Sequence, residues 1–163
     1  MKSLYKFGFL ATSALVFGVS FVHPFGPVKQ KQSDLPMVIE AGAPPEIARI
    51  VERACRNCHS ERTEWPWYSY VAPMSWVIEK DVSSARAHMN LSRWKDYTLE
   101  QQIDLLTMIA VEVRNRKMPL PKYLTLHPEA RLSSGDVRQL YSWAHGERNR
   151  LKVADTKAKP STD

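Results

Sequence analysis

Apolar residues recur at helical spacing in four stretches of the chain, and no stretch alternates convincingly as a strand would. The first helix opens at Pro44-Pro45-Glu46, with proline in its first turn, and leads into Cys55. The second is predicted over residues 75 to about 90, with Lys80, Asp81 and Arg86 in solvent. The inward residues are predicted to be Ile47, Ile50, Val51 and Ala54 in the first helix and Trp76, Val77, Ala85 and Met89 in the second.

The third and fourth helices have clear start signals. Thr98 with Gln101, and Ser133 with Asp136, are predicted to form capping boxes. The third helix is expected to end near Arg116, because the Met-Pro-Leu-Pro run that follows cannot continue it. The inward residues are predicted to be Leu99, Ile103, Leu106, Ala110 and Val113 in the third helix and Val137, Leu140, Tyr141 and Ala144 in the fourth. The predicted fold class is therefore all-α.

An apolar N-terminal segment precedes these helices. Lys2 and Lys6 stand before an apolar run of sixteen residues, 7–22, which predicts an export signal. No A-x-A cleavage pattern stands out, which favours an uncleaved anchor helix, although the run is short for a full span. Because the basic residues come first, the rest of the chain is expected on the periplasmic side of the inner membrane.

These features divide the chain into a signal peptide or membrane anchor at 1–27, a tether at 28–39, one domain at 40–150 and a polar tail at 151–163. The formal net charge is +6, but residues 36–150 contain 16 Lys and Arg against 14 Asp and Glu. The remaining excess lies at the two ends. With no basic stripe in the domain, nucleic acid is not expected as a partner.

The strongest chemical signal is Cys55-Arg56-Asn57-Cys58-His59, because C-x-x-C-H is the attachment signature of a c-type haem. Two thiols three residues apart on a helical turn can both reach the vinyl groups of one porphyrin. His59 then becomes the proximal iron ligand. The alternatives are a thioredoxin-like pair, half a zinc site and a disulfide. Zinc would need more ligands than two cysteines, and a disulfide here would close too short a loop to stabilise much.

The sixth position on the iron has two main candidates. Met118 lies in an irregular, proline-bounded loop between the third and last helices, where a chain can cross the distal face of a haem. His127, followed by Pro128, is the rival ligand. A methionine that merely fills a gap in the core is the structural alternative for Met118.

An aromatic run with two prolines follows His59 at residues 63–73, and no regular element is predicted there. Its Trp65, Trp67 and Tyr68 are expected to cover one edge of the haem. Tyr123, which follows the Met-Pro loop, is a further candidate for haem contact.

In outline the chain resembles class I cytochrome c. More closely, it resembles a bacterial haem-binding domain family whose members have a C-x-x-C-H-S run, a T-x-W-P-W-Y-S-x-x-A-P-x-S-W block, an N-x-S-x-W block, a Met-Pro loop and an H-P-E-A-x-L block. Here these stand at residues 55–60, 63–76, 90–94, 118–119 and 127–132. One departure is Ala85 before Arg86, where glycine is expected. The resemblance implies one covalent haem c in an exported, often membrane-anchored protein with a cytochrome c-like fold.

Two functions from different classes remain open. The preferred one is a one-electron carrier with His59 and Met118 on the iron and redox proteins docking weakly at the haem edge. The other is a haem sensor or peroxidase-like enzyme with an open or displaceable sixth site. An enzyme would need an acid/base group over the iron, for which His88 and His127 are available. No catalytic residue is assigned.

Overall fold

The computed structural model describes residues 2–20, 22 and 42–158, which fold into helices joined by loops. In this part of the chain the α-helices are α1 (Lys2–Val19), α2 (Pro45–Ala54), α3 (Arg56–His59), α4 (Met74–His88), α5 (Leu99–Arg114), α6 (Tyr123–Leu126) and α7 (Ser134–Ala158). Short 3₁₀ helices occur at Trp67–Tyr70, Leu91–Asp96 and Pro128–Ala130. No strand occurs among these residues, so the all-α prediction is confirmed. The predicted tether at 28–39 lies outside the described residues.

The core is built by α2, α5 and α7. α5 and α7 pack along each other, and α2 packs against α7. Leu106, Leu140 and Ala144 are completely buried between them. The other members of this core are Ile47, Ile50, Val51, Leu91, Trp94, Leu105, Ala110, Val113 and Leu132. The inward faces predicted for these helices are largely confirmed: Ala54, Val137 and Tyr141 are half-buried against this core. The exceptions are Leu99 and Ile103, which are half-buried but are not among the residues that pack against it.

Both predicted capping boxes are present. The amide of Gln101 donates to Thr98 Oγ1 over 3.2 Å, and the amide of Thr98 donates to Gln101 Oε1 over 2.8 Å. At α7 the amide of Asp136 donates to Ser133 Oγ (3.0 Å) and that of Ser133 to Asp136 Oδ2 (2.8 Å). Because each box satisfies amides that a helix start leaves without intrahelical partners, α5 and α7 begin where the sequence predicts.

α7 extends beyond the domain boundary predicted at 150. The helix continues to Ala158, and Leu151 still packs against the core. Just before that boundary, exposed Arg150 forms an ion pair of 2.5 Å with half-buried Glu147, three residues earlier on the helix. The described part of the predicted polar tail, residues 151–158, is therefore helical.

α4 turns a different face inward from the one predicted. Its buried residues are Ser75, Glu79 and Val82, whereas Val77 is 41% exposed. Asp81 and Arg86, both predicted in solvent, are half-buried. The other predicted inward residues, Trp76, Ala85 and Met89, are half-buried as well. α4 packs on α3 and on the short 3₁₀ helix before it, away from the main core. Apolar periodicity could not predict this face because two of its three buried residues are polar.

The aromatic run contains a regular element that the sequence did not predict. Trp67–Tyr70 forms one 3₁₀ turn after Pro66. The amide and the hydroxyl of buried Ser69 both donate to the Pro66 carbonyl, over 2.9 and 2.6 Å. Proline excludes a longer α-helix here, but a single 3₁₀ turn needs few backbone donors.

The apolar N-terminal segment forms α1, which is attached to the domain at its end. The amide of Ala72 donates to Ser20 Oγ over 3.2 Å, and Trp76 Nε1 donates to the Val22 carbonyl over 2.7 Å. Of the helices the structure describes, none combines the length and the apolar character needed to cross a membrane.

Candidate haem-binding site

Cys55, Cys58 and His59 lie on one turn where α2 meets α3. The Cys55 carbonyl accepts hydrogen bonds from the amides of Cys58 (3.3 Å) and His59 (3.0 Å). Because the two cysteines are three residues apart on this turn, their side chains project from the same side of it. Both thiols are free and half-buried. This is the spacing that two vinyl groups on one porphyrin require.

The environment of the thiols differs from that of a redox-active pair. Burial raises the pKa of Cys55 to about 12, and neighbouring Cys58 adds to the effect. Burial, with a contribution from Asp81, raises the pKa of Cys58 to about 11. Redox-active C-x-x-C cysteines have lowered pKa values, so the thioredoxin-like alternative is not favoured. Among the described residues, no group of three or more His, Cys, Asp or Glu side chains is placed to hold a metal ion.

The ring of His59 is oriented by a backbone carbonyl. Its Nδ1 lies 3.1 Å from the carbonyl oxygen of Met89. Because a carbonyl can only accept, Nδ1 bears the proton and Nε2 of the neutral ring keeps its lone pair. Burial lowers the pKa of His59, which favours that neutral form. Histidines that bind metals commonly donate their other ring N–H to a carbonyl in this way.

The residues that follow the Met89 carbonyl are held in place by hydrogen bonds to Glu61. Glu61, only 8% exposed, accepts hydrogen bonds from Arg93 Nε (2.7 Å) and Asn90 Nδ2 (3.4 Å). The amide of Glu61 donates to Ser92 Oγ over 3.0 Å, and the amide of Ser92 donates to Asn90 Oδ1 over 3.0 Å. The N-x-S-x-W block is thereby tied to the segment that follows the histidine.

A second set of bonds joins α4 to the same segment. Arg86 Nε donates to the Ser60 carbonyl over 2.8 Å, and its Nη2 donates to Thr63 Oγ1 over 2.9 Å. Ser60 is fully buried, and its hydroxyl donates to the Arg56 carbonyl over 2.8 Å. The half-buried arginine therefore holds α4 against the segment that follows the C-x-x-C-H turn.

We expect Glu61→Ala to lower the free energy of unfolding by about 1–3 kcal/mol, because it leaves the buried Asn90 amide without its acceptor. Denaturant unfolding of the haem-loaded protein measures this. Arg150→Ala is the control: it removes an exposed side chain from the pair with Glu147, and we expect a loss of at most about 1 kcal/mol. Equal losses for the two variants would show that the buried bonds of Glu61 do not stabilise the site.

His127 is hydrogen-bonded through both ring nitrogens. Its Nε2 lies 2.8 Å from the Tyr68 hydroxyl, and its Nδ1 lies 3.1 Å from the Glu129 carboxylate. Because a carboxylate only accepts, Nδ1 donates to Glu129, and in the neutral ring Nε2 therefore accepts from Tyr68. The lone pair that would bind iron is therefore in use. This arrangement favours Met118 over His127 as the sixth ligand.

His127 also links two of the predicted aromatic residues, Tyr68 and Tyr123, to the C-x-x-C-H turn. The ring of Tyr123 stacks on it with centroids 4.2 Å apart. The Tyr123 hydroxyl accepts a hydrogen bond from Nδ2 of Asn57, inside the C-x-x-C-H motif, over 3.0 Å. Tyr68, His127 and Tyr123 thus form one connected group that ends at this motif.

Two other predicted site residues are not members of this group. Trp67 meets the Tyr68 ring edge-to-face, with centroids 5.8 Å apart, and is 78% exposed. Met118 is half-buried in the loop between α5 and α6, and its amide donates to the Glu112 carbonyl over 3.4 Å.

The side chains around these groups fit a haem. Several half-buried apolar residues are not among those that pack against the main core of the described chain: Trp65, Tyr68, Met118, Leu120, Tyr123 and Leu124. A large apolar ligand would cover them. Trp65 Nε1 and Ser75 Oγ are buried without a hydrogen-bond partner, and the carboxylates of haem are acceptors of the kind they lack.

These observations fit a haem-binding domain built of helices: a backbone carbonyl orients the histidine of the C-x-x-C-H turn, and apolar side chains beside it are left outside the core. The chain belongs to the haem-binding domain family, whose model matches residues 14–146. The resemblance seen in the sequence motifs is therefore confirmed. No curated protein and no solved structure matches the chain.

Sequence reasoning missed the polar groups that position the histidine. The Met89 carbonyl, Glu61 and Arg86 were not among the candidates. The signal available was the N-x-S-x-W block itself, since its Asn and Ser follow Met89 directly. Nothing in the sequence indicated that Glu61 would be their partner, because the contact spans about thirty residues.

Proposed function

We propose that this protein binds one haem c covalently through Cys55 and Cys58 and transfers single electrons outside the cytoplasm. In this proposal His59 is the proximal iron ligand and Met118 the sixth. The supporting observation is the bond from His59 Nδ1 to the Met89 carbonyl, because it leaves Nε2 available to iron. A bound haem supplies the one-electron chemistry of its iron.

The protein's own residues orient and enclose that group. Trp65 Nε1 is the proposed donor to a haem propionate, since it is buried without a partner. Tyr68 and Tyr123 are the proposed aromatic cover, held by their shared contact with His127. The exposed Trp67 is left out of this set.

The carrier is preferred to a sensor or enzyme because His127, one of the two candidate acid/base histidines, has partners at both ring nitrogens. His88 is exposed, and its Nδ1 donates to the Ser84 carbonyl over 2.7 Å. Acid/base catalysis needs a ring nitrogen that can exchange a proton with the reacting atoms, and the two hydrogen bonds of His127 leave it none.

Carbon monoxide tests the carrier against the alternative. We expect the reduced, haem-loaded protein to keep its absorbance spectrum when carbon monoxide is added, because Met118 occupies the sixth position. Myoglobin, whose sixth site is open, is the positive control. An immediate shift of the spectrum would instead support a sensor or enzyme.

We expect haem to order the aromatic run at residues 63–73. The run has one 3₁₀ turn as its regular element, so its packing depends on what its aromatics contact. Hydrogen exchange read by mass spectrometry should show faster exchange of these amides in the haem-free protein. The α5–α7 core should change much less. Equal protection of residues 63–73 in the two forms would count against the packing of Trp65 and Tyr68 on haem.

We further propose that the protein is exported and stays at the inner membrane through α1, with redox proteins as weakly docking partners. Lys2 and Lys6 precede the apolar segment, in the order that leaves the following domain outside the cytoplasm. Fractionation of cells that produce the full chain tests this location.

A further inference from the structure

An exposed apolar surface lies next to the point where α1 meets the domain. It consists of Trp67, Tyr70, Val71, Met74 and Val77, whose exposed fractions range from 38% to 78%. We call these five residues the 67–77 surface. Contiguous exposed apolar patches commonly mark interaction sites, and aromatic residues are typical of the membrane–water interface.

The fold presents this surface outward as a unit. In the 3₁₀ turn, Ser69 is buried while Trp67 and Tyr70 face solvent. In α4, Ser75 is buried while Met74 and Val77, three residues apart, share an exposed face. The turn and the helix pack against each other, so the two exposed parts adjoin.

The end of α1 is bonded inside the same stretch of chain. Its partners are Ala72, which donates to Ser20 Oγ, and Trp76, which donates to the Val22 carbonyl. Whatever surrounds α1 therefore also meets the 67–77 surface.

α1 itself indicates what that surrounding is. Its large apolar side chains are exposed on all sides of the helix: Tyr5, Phe7, Phe9, Leu10, Leu15, Val16 and Phe17. Burying these side chains requires cover around the whole helix. A second copy of the chain would cover one side, whereas lipid covers all of them.

We propose that the 67–77 surface rests on the lipid bilayer that holds α1. This inference depends on the proposed membrane location and adds the face by which the haem-binding domain docks. Trp67 and Tyr70 lie at headgroup depth, and Met74 and Val77 border them. The domain is thereby held in one orientation, with the Tyr68–His127–Tyr123 group next to the docked face.

Methionine oxidation tests this docking. The haem-loaded full chain is incorporated into phosphatidylethanolamine–phosphatidylglycerol vesicles at low protein density and treated briefly with the water-soluble oxidant N-chlorosuccinimide. Sulfoxide is then measured at Met74 and at Met108, an exposed methionine on α5 that serves as the internal control. We expect Met74 to oxidise several-fold more slowly than Met108.

Two variants separate docking from folding. Trp67→Glu with Tyr70→Glu, and independently Val77→Glu, should raise Met74 oxidation to the rate of Met108 while the haem absorbance stays unchanged. Absence of that absorbance in the wild-type protein would contradict haem binding, but the oxidation of Met74 could still be compared with that of Met108. Equal oxidation of Met74 and Met108 in wild type would overturn the docking, as would recovery of the chain free of vesicles. If Met74 loses its protection from oxidation when the protein is diluted with further lipid, the surface is covered by a second copy of the chain. That result would also overturn docking on lipid.

Discussion

Met118→Ala is expected to open the haem iron to carbon monoxide and to lower the reduction potential. A thioether is a soft, neutral donor that favours reduced iron, so its loss stabilises the oxidised state. The sulfur-to-iron charge-transfer band of the oxidised protein, in the far red, should disappear. Absorbance spectra with and without carbon monoxide and a redox titration measure all three effects.

Other methionines provide the matched controls. Met108→Leu changes an exposed side chain on α5, and Met74→Leu changes one on α4. Met89→Leu keeps the backbone carbonyl that orients His59. We expect all three variants to keep the band, the potential and the closed sixth site.

His127→Ala decides between the two candidate ligands. Because both nitrogens of His127 have partners, we expect this variant to stay six-coordinate and to lose only the support that His127 gives to Tyr68 and Tyr123. High-spin iron in His127→Ala, together with normal Met118→Ala, would transfer the sixth position to His127.

Replacing both Cys55 and Cys58 by serine is expected to abolish covalent attachment. The chain has no other cysteine, so no thioether can form elsewhere. Each single replacement should leave at most one thioether, and the double variant should release its haem into acidified organic solvent. Haem that resists extraction from the double variant would exclude attachment through these thiols. Ser60→Ala, beside the motif, is the control and should keep its covalent haem.

The helical core and its ends were predictable because local rules determine them. The faces of α2, α5 and α7 repeat at helical spacing, and the capping boxes at Thr98 and Ser133 involve residues three apart. Such signals are present in any short window of sequence. The C-x-x-C-H turn was predictable for the same reason, since the motif spans only five residues.

The inner face of α4 and the polar bonds of the site could not be predicted in the same way. Arg86 is half-buried because it reaches the Ser60 carbonyl and Thr63, which lie more than twenty residues away in sequence. Glu61 is buried because Arg93 and Asn90 meet it across a similar separation. Hydrophobic patterning places charged residues in solvent, so it fails where a distant partner compensates for their burial.

The intact mass of the wild-type protein tests the central proposal most directly. The full chain is produced in a periplasm that is competent for haem attachment, denatured in acid and analysed by mass spectrometry. Covalent attachment at Cys55 and Cys58 predicts a mass equal to the chain plus one haem. The mass of the chain alone, with haem recovered free in solution, would contradict a c-type haem.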